Sequence, residues 1–322
     1  MNEMKSRIYY LLIVIVSLLF VWSCDDYDMF KKELYYKYLY VISDDDNIHD
    51  MMFSLDTDTA FSAVSISCSG TNPVDEEIRF TLEKDLELLD KYNYANFDIN
   101  EEKYAKELSS DDFYMPSMSA FLKRSSEQVY TTLPIYMTNE KLAELSPDSI
   151  YFVPLKIKDA SGYEINEKKH NVLCRVYKKN RFADTRKDNQ YTMKGYRTQG
   201  IVKSSISGTK TVHPLANNSV RMFVGNVRFV SEVDSISKYA MEVKVNLDST
   251  LLISPYSNEG KIELEQLDPL QEDQFIYNNK YETSTNRFLL YYRYRVINNQ
   301  GTWSNWITIQ EAVKKLVVTE ED

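Results

Sequence analysis

Apolar and polar residues alternate with a period of two through most of this chain. The clearest windows are Glu77–Glu83, Ile150–Lys158, Tyr239–Leu247 and Arg287–Ile297. Such alternation predicts β-strands with one buried face and one wet face. Strands of this kind are typical of antiparallel sheets that pack on one side. The pattern therefore predicts an all-β protein.

Helical patterning is sparse. Asp85–Tyr94 and Asn100–Leu108 are predicted as short helices within a polar insertion. Asn139–Leu145 is predicted as one helical turn capped by Asn139, and Gln310–Leu316 as a closing helix.

A polar segment, Lys178–Gln190, interrupts the strand patterning and is nearly free of apolar residues. We expect it to separate two all-β domains, one over residues 31–180 and one over 190–318. Length supports this division, because 322 residues suggest about two domains.

Composition excludes several classes of protein. The formal net charge of −10 makes the chain a poor partner for nucleic acid. Only 8 of the 322 residues are Gly, which disfavours a nucleotide-binding fold built on Gly-rich loops. Aromatic residues reach 13%, and 25 of them are Tyr.

The start of the chain reads as a targeting segment over residues 1–23. Lys5 and Arg7 precede 14 residues without charge, Ile8 to Val21. A spanning helix needs about 20 apolar residues, so this run is better interpreted as the core of a signal peptide.

The segment Val21-Trp22-Ser23-Cys24 resembles the lipobox of bacterial lipoproteins, with Trp22 departing from the usual small residue. The resemblance implies that Cys24 carries the lipid and anchors the protein in the outer membrane. An uncleaved anchor and an ordinary secretory signal are the alternatives. The acidic tether, residues 24–30, resembles the surface-export signal of glycan-scavenging Gram-negative bacteria, and the alternative is an anchor that faces the periplasm.

The strand regions also resemble a known family. Residues 31–178 resemble the immunoglobulin-like N-terminal module of surface lipoproteins from starch-utilisation-like gene clusters, and residues 190–318 resemble the C-terminal β domain commonly paired with it. The stretches that carry this resemblance are Thr132–Met137, Ser149–Ile157, Tyr191–Tyr196, Phe288–Tyr294 and Trp306. It implies an immunoglobulin-like β-sandwich followed by an antiparallel β-barrel or sandwich, with a lipocalin-like barrel as one form. It also implies capture of polysaccharide or oligosaccharide outside the cell, beside an outer-membrane importer complex.

No constellation for catalysis is visible in the sequence. His49, His170 and His213 are isolated and are interpreted as loop residues rather than bases. No Cys or His spacing fits a zinc site, so we expect no catalytic residue, no metal and no cofactor. A weak hydrolase remains an alternative, because carboxylates are abundant and their separation cannot be read from sequence.

Sugar binding needs a flat aromatic face with polar groups beside it. Trp303 lies near a predicted hairpin tip, and Tyr291, Arg293 and Arg295 share the outer face of the neighbouring strand. These four residues are the candidate ligand-binding set, whereas Trp306 is predicted to lie in the core. The alternative is that the aromatic side chains only cover a sheet face. An adhesin or structural surface protein that contacts other proteins is the competing function.

Cys68 and Cys174 lie in predicted strands of the first half. An exported compartment permits a disulfide, but sequence does not give the geometry. A disulfide and two free buried thiols both stay open.

Overall fold

The computed structural model describes residues 33–124, 129–186, 189–269 and 276–316. The signal segment, the acidic tether and Cys24 lie outside these residues.

The described residues of the first domain form ten strands in two sheets. The strands are β1 (Tyr38–Val41), β2 (Ile48–Ser54), β3 (Thr59–Cys68), β4 (Ile78–Lys84), β5 (Lys106–Glu107), β6 (Ser119–Leu122), β7 (Tyr130–Thr138), β8 (Tyr151–Ala160), β9 (Glu164–Ile165) and β10 (Asn171–Lys179). One sheet has the order β7-β3-β1-β9 and the other β2-β10-β8-β4-β6, with β5 also paired to β8. Apolar side chains from both sheets, among them Leu39, Val64, Phe80 and Leu155, form one core. The domain is a β-sandwich.

In the second domain, another ten strands in two sheets are present over residues 189–269 and 276–316. They are β11 (Gln190–Gln199), β12 (Val202–Thr211), β13 (His213–Ala216), β14 (Ser219–Phe223), β15 (Ala240–Val245), β16 (Leu251–Pro255), β17 (Ile262–Gln266), β18 (Lys280–Glu282), β19 (Arg287–Val296) and β20 (Ile307–Lys315). The orders are β12-β11-β20-β19-β17, with β18 paired to β19, and β13-β14-β15-β16. The Gln266 side chain accepts from Ile253 N and donates to Leu251 O, which joins the sheets along β16 and β17.

Three helices are present among the described residues: α1 (Leu86–Phe97), α2 (Asn139–Glu144) and α3 (Val233–Tyr239). The helix predicted at Asn100–Leu108 is instead a 3-10 turn, Glu101–Lys103, followed by β5. Thr138, rather than Asn139, caps α2, because its hydroxyl accepts from Lys141 N. Asn139 instead donates its side-chain amide to Leu55 O.

The predicted closing helix at Gln310–Leu316 is wrong, because residues 310–315 belong to β20. Glu311 is a charged residue at a completely buried position of this strand. Its carboxylate accepts from Lys210 Nζ and Tyr292 OH, each at 2.7 Å. Burial raises the pKa of Glu311 and lowers that of Lys210. A paired charge can therefore occupy a core position of a strand. The prediction of an all-β chain with two β domains is confirmed.

The segment between β10 and β11 is not a free linker. Phe182 and Ala183 are fully buried in the second core, and Tyr191 donates its hydroxyl to Phe182 O. Asn180 donates its side-chain amide to Ala216 O and Ser219 O. The start of the second domain is therefore fixed by side chains within this polar stretch.

An ion pair joins the two domains. Arg221 of β14 is completely buried and donates to both carboxylate oxygens of Asp148, at 2.5 and 2.6 Å. Lys178 of β10 is also buried and donates to Leu145 O at 2.6 Å, after the end of α2. Burial lowers the pKa of Lys178 to about 8. The junction is therefore packed and polar.

Candidate functional site

The candidate ligand-binding residues lie at one end of the outer face of the second domain's larger sheet. In β19, Phe288, Leu290, Tyr292 and Tyr294 point into the core, so Arg293 and Arg295 point outward. Register pairs Arg295 with Glu263 and Arg293 with Glu265 on β17, and directly opposed side chains share a face. The predicted orientation of these strand positions agrees with the observed one.

Two Trp rings and two guanidinium groups form a cluster that we call the Trp–Arg stack (Trp303, Trp306, Arg293, Arg295). The Arg295 guanidinium lies 5.1 Å from the ring centroid of Trp303 and 4.8 Å from that of Trp306. The Arg293 guanidinium lies 4.6 Å from the ring centroid of Trp306. These distances are within the range of cation–π attraction. Guanidinium groups therefore occupy part of the ring surface that was predicted to receive sugar.

Two carboxylates hold the arginines from the neighbouring strand. Glu265 accepts from Arg293 Nε at 2.7 Å, and Glu263 accepts from Arg295 Nε at 2.6 Å. A second nitrogen of each guanidinium also contacts the same carboxylate, at 2.5 and 2.6 Å. Both arginines are held in fixed orientations while parts of their side chains stay exposed to water.

Two positions in this region differ from the prediction. Trp306 was placed in the core, but it precedes β20, is half-buried and contacts both arginines. Tyr291 shares the outer face but is only 9% exposed, and Asn279 Oδ1 accepts from its backbone N–H. Tyr291 therefore presents no open ring face, and the structure brings together Trp303, Arg293 and Arg295 without it.

A polar row continues from the stack across the sheet. Register places Thr308 opposite Arg293, Thr198 opposite Thr308, and Lys203 opposite Thr198. With Glu265 this row spans five consecutive strands. Beside it, the Lys203 ammonium lies 4.6 Å from the ring centroid of the exposed Tyr196. The same side of the sheet offers hydroxyl, ammonium, guanidinium and carboxylate groups.

The histidines are placed differently from the prediction that all three lie in loops. His49 belongs to β2, and its Nε2 lies 3.0 Å from Ala63 O. His213 belongs to β13, is buried, and packs against the Phe229 ring. Only His170 lies outside a strand.

Cys68 and Cys174 are both free thiols in the structure. Burial raises the pKa of Cys174 to about 12. Among the described residues, no group of three or more His, Cys, Asp or Glu side chains is placed to hold a metal ion.

A second set of aromatic side chains, not predicted from the sequence, lies on the first domain, and we call it the aromatic row (Phe61, Tyr136, Tyr114). Phe61 and Tyr114 are exposed, and Tyr136 between them is half-buried. Phe61 of β3 pairs with Tyr136 of β7, and Tyr136 pairs with Tyr114 through two backbone hydrogen bonds of 2.8 and 2.9 Å. Their ring centroids are 6.0 Å apart for Phe61 and Tyr136, and 6.4 Å apart for Tyr136 and Tyr114. Period-2 patterning around Phe61 and Tyr136 is the sequence signal that could have indicated these two residues. Tyr114 has no such signal, because it lies in an irregular loop.

Two family models match this chain almost end to end. Residues 30–164 match a model described as an N-terminal domain, and residues 170–314 match its C-terminal counterpart. The chain therefore belongs to the two-domain family that these models define. No match is found among curated proteins.

Solved structures from Bacteroides share the fold. A multidomain protein including DUF1735 from Bacteroides ovatus is 15% identical with a TM-score of 0.56, over 86% of this chain and 93% of the other. A protein of unknown function from the same species is 14% identical with a TM-score of 0.56, over 92% and 97%. A protein described as an auxiliary nutrient binding protein, from Bacteroides thetaiotaomicron, is 12% identical with a TM-score of 0.55, over 85% and 92%. At these identities the likeness shows the fold alone.

No helix in the described part of the chain has the length and apolar character needed to cross a membrane.

Proposed function

We propose that this chain is a non-enzymatic lipoprotein of the outer membrane that holds carbohydrate at the cell surface for uptake. The Trp–Arg stack with its paired carboxylates is the observation that carries the proposal. The fold shared with a protein described as an auxiliary nutrient binding protein supports it.

The stack favours carbohydrate because its polar groups are held before a ligand arrives. The Arg295 guanidinium is fixed by Trp303, Trp306 and Glu263. Ordering a flexible side chain on binding costs about 0.5–1.5 kcal/mol, and a fixed side chain avoids most of that cost. Guanidinium donors and carboxylate acceptors suit neighbouring sugar hydroxyls, and the remaining ring surface of Trp303 suits a sugar C–H face.

The extent of the face favours a long ligand. Five strands that lie about 4.8 Å apart give a width of about 19 Å from Lys203 to Glu265. A face of this width fits an extended polysaccharide better than a small molecule, which proteins bind in compact concave pockets.

Calorimetric titration of the full-length protein with soluble polysaccharides tests the proposal. Arg293→Gln is expected to weaken binding about tenfold, because a charge-assisted hydrogen bond is worth roughly 1.5–3 kcal/mol. Arg287→Gln is a matched control: it lies on the same strand, pairs with Glu282, and its side chain is 38% exposed against 40% for Arg293. Equal affinity of the two variants, or release of shorter sugars from the polysaccharide, would contradict the proposal.

Cys24→Ala tests the anchor separately. We expect the wild type to be labelled by radioactive palmitate and the variant to lose that label. A wild type that takes up no label would remove the proposed location.

Contact with other proteins is the second candidate function. Strand β12 ends its sheet, and most of its side chains are exposed, including Val202. Such an edge offers backbone groups to a partner strand. Capture of a surface protein that is insensitive to added glycan, and is lost when Ser204 is replaced by Pro, would favour this function.

A further inference from the structure

The aromatic row lies in the other domain from the Trp–Arg stack, and its two outer rings are exposed while Tyr136 is half-buried. Phe61 is 68% exposed and Tyr114 is 64% exposed, whereas the side chains on the opposite face of β3 and β7 fill the core. Exposure of large apolar rings to water is unfavourable. Three neighbouring rings on one sheet face therefore mark a surface that is suited to a partner.

A shallow groove of about 540 Å³ runs beside the row and is lined by Tyr114, Tyr136 and Lys141, among others. Asp111 and Asp112 stand on its rim. Small-ligand sites typically measure roughly 300–1,000 Å³, so the groove has room for a ligand of that size.

The charges at the groove select among ligands. Asp112 pairs with Lys141 at 3.4 Å, and this hydrogen bond raises the pKa of Lys141. Glu144 also contacts Lys141, at 3.5 Å. Together with Asp111, the rim carries more negative than positive charge, which disfavours an anionic ligand.

The mixture of rings and carboxylates also disfavours a wholly apolar ligand. Covering Asp111 and Asp112 with hydrocarbon would remove water from their oxygens without replacing its hydrogen bonds. A sugar ring avoids this cost, because its C–H face packs on an aromatic ring while its hydroxyls donate to carboxylates.

We propose that the aromatic row and its acidic groove form a second carbohydrate site, specific for neutral saccharides. Consecutive sugar units pack along Tyr136 and Tyr114, with Phe61 extending the row. Hydroxyl groups donate to Asp111 and Asp112. This site is separate from the Trp–Arg stack and binds independently of it.

Calorimetric titration of the full-length protein with maltohexaose, cellohexaose, xylohexaose and mannohexaose tests the site. At least one is expected to bind, and Tyr114→Ala is expected to weaken that binding at least about fivefold, because buried aromatic contacts dominate binding energies. Tyr114→Phe keeps the ring and is expected to stay within about threefold of the wild type. Tyr94→Ala is the matched control, since Tyr94 is 67% exposed on α1, away from the groove.

Hexagalacturonic acid tests the charge selection. The wild-type protein is expected to bind it at least about tenfold more weakly than the best neutral hexasaccharide, and Asp111→Asn is expected to narrow that gap. Far-ultraviolet circular dichroism of each variant checks that the fold is intact.

Several results would overturn this site. They are no binding of any neutral hexasaccharide, equal binding of the anionic one, and binding that survives Tyr114→Ala but is lost in Arg293→Gln. The last result would leave the proposed function standing and remove only the second site. Binding of a protein partner that is lost in Tyr114→Ala and unaffected by added saccharide would also contradict a carbohydrate site here.

Discussion

The ion pair between the two domains gives the sharpest prediction of stability. Asp148→Ala removes the carboxylate that holds the fully buried Arg221 guanidinium. Lys178 and His213 lie in the same junction, and burial, followed by the Arg221 and Lys178 charges, lowers the pKa of His213. The variant therefore leaves basic groups together without the carboxylate that balances them.

The magnitude follows from the burial of each partner. Breaking a buried ion pair costs about 3–5 kcal/mol, and the 21% exposure of the Asp148 side chain reduces the expected loss to about 2–4 kcal/mol. Arg221→Met is expected to cost less, about 1–2 kcal/mol, because Asp148 can turn towards water and Met keeps apolar contact with Tyr256. Removing Asp148 is therefore expected to cost more stability than removing Arg221, because it leaves a buried positive charge without its partner.

Urea denaturation of both single variants and the double variant measures these losses. Circular dichroism follows both domains, while the fluorescence of Trp303 and Trp306 follows the second. Glu87→Ala breaks the exposed pair with Lys91 and is expected to leave the urea midpoint unchanged, because solvent screens an exposed pair. A larger loss for Arg221→Met than for Asp148→Ala would refute the reasoning.

Two further predictions concern pH and close packing. Burial, and then the Arg221 charge, lowers the pKa of His213 from 6.5 to about 4. The unfolded chain therefore takes up this proton first, so stability present above pH 6.5 is lost as the pH falls towards 4. Urea titrations at pH 7 and pH 4.5 measure how far the free energy of unfolding falls between these two values. In His213→Gln this fall is expected to be smaller than in the wild type by about 2–3 kcal/mol, and an equal fall would contradict the prediction. Gly195→Ala would place a Cβ 2.0 Å from Gln310 O, so we expect a loss of about 3 kcal/mol or more. Thermal melts measure this loss. Gly208→Ala, on the next strand, adds a Cβ into open space and is expected to leave the melting temperature unchanged. Equal melting temperatures for the two variants would contradict the packing argument.

Alternation predicted the strands because a sheet with one buried face imposes it locally. In β19 the inward and outward positions were predicted correctly, including Arg293 and Arg295. The helix predicted at Gln310–Leu316 is wrong because Glu311 lies buried in β20, where it pairs with Lys210, about a hundred residues earlier in the sequence. The hydrophobic pattern of a short window cannot reveal a buried ion pair between residues so far apart in the sequence.

The site residues were partly predictable for the same reason. The outward direction of Arg293 and Arg295 follows from the strand period. The strand period does not give the burial of Tyr291, whose backbone N–H donates to the Asn279 side chain outside β19. To predict the aromatic row, one would need to know the register of β3 against β7. One would also need to place Tyr114, a loop residue that carries no strand pattern. Contacts of this kind are set by the tertiary fold.

The central claim is that this chain binds carbohydrate, and affinity electrophoresis tests it most directly. The full-length protein runs through native gels that contain starch, xylan, mannan, β-glucan or pectin. We predict that at least one neutral polysaccharide retards the wild type, and that a variant combining Arg293→Gln with Tyr114→Ala migrates as in a gel without polysaccharide. Unretarded migration of the wild type in every gel would contradict the account.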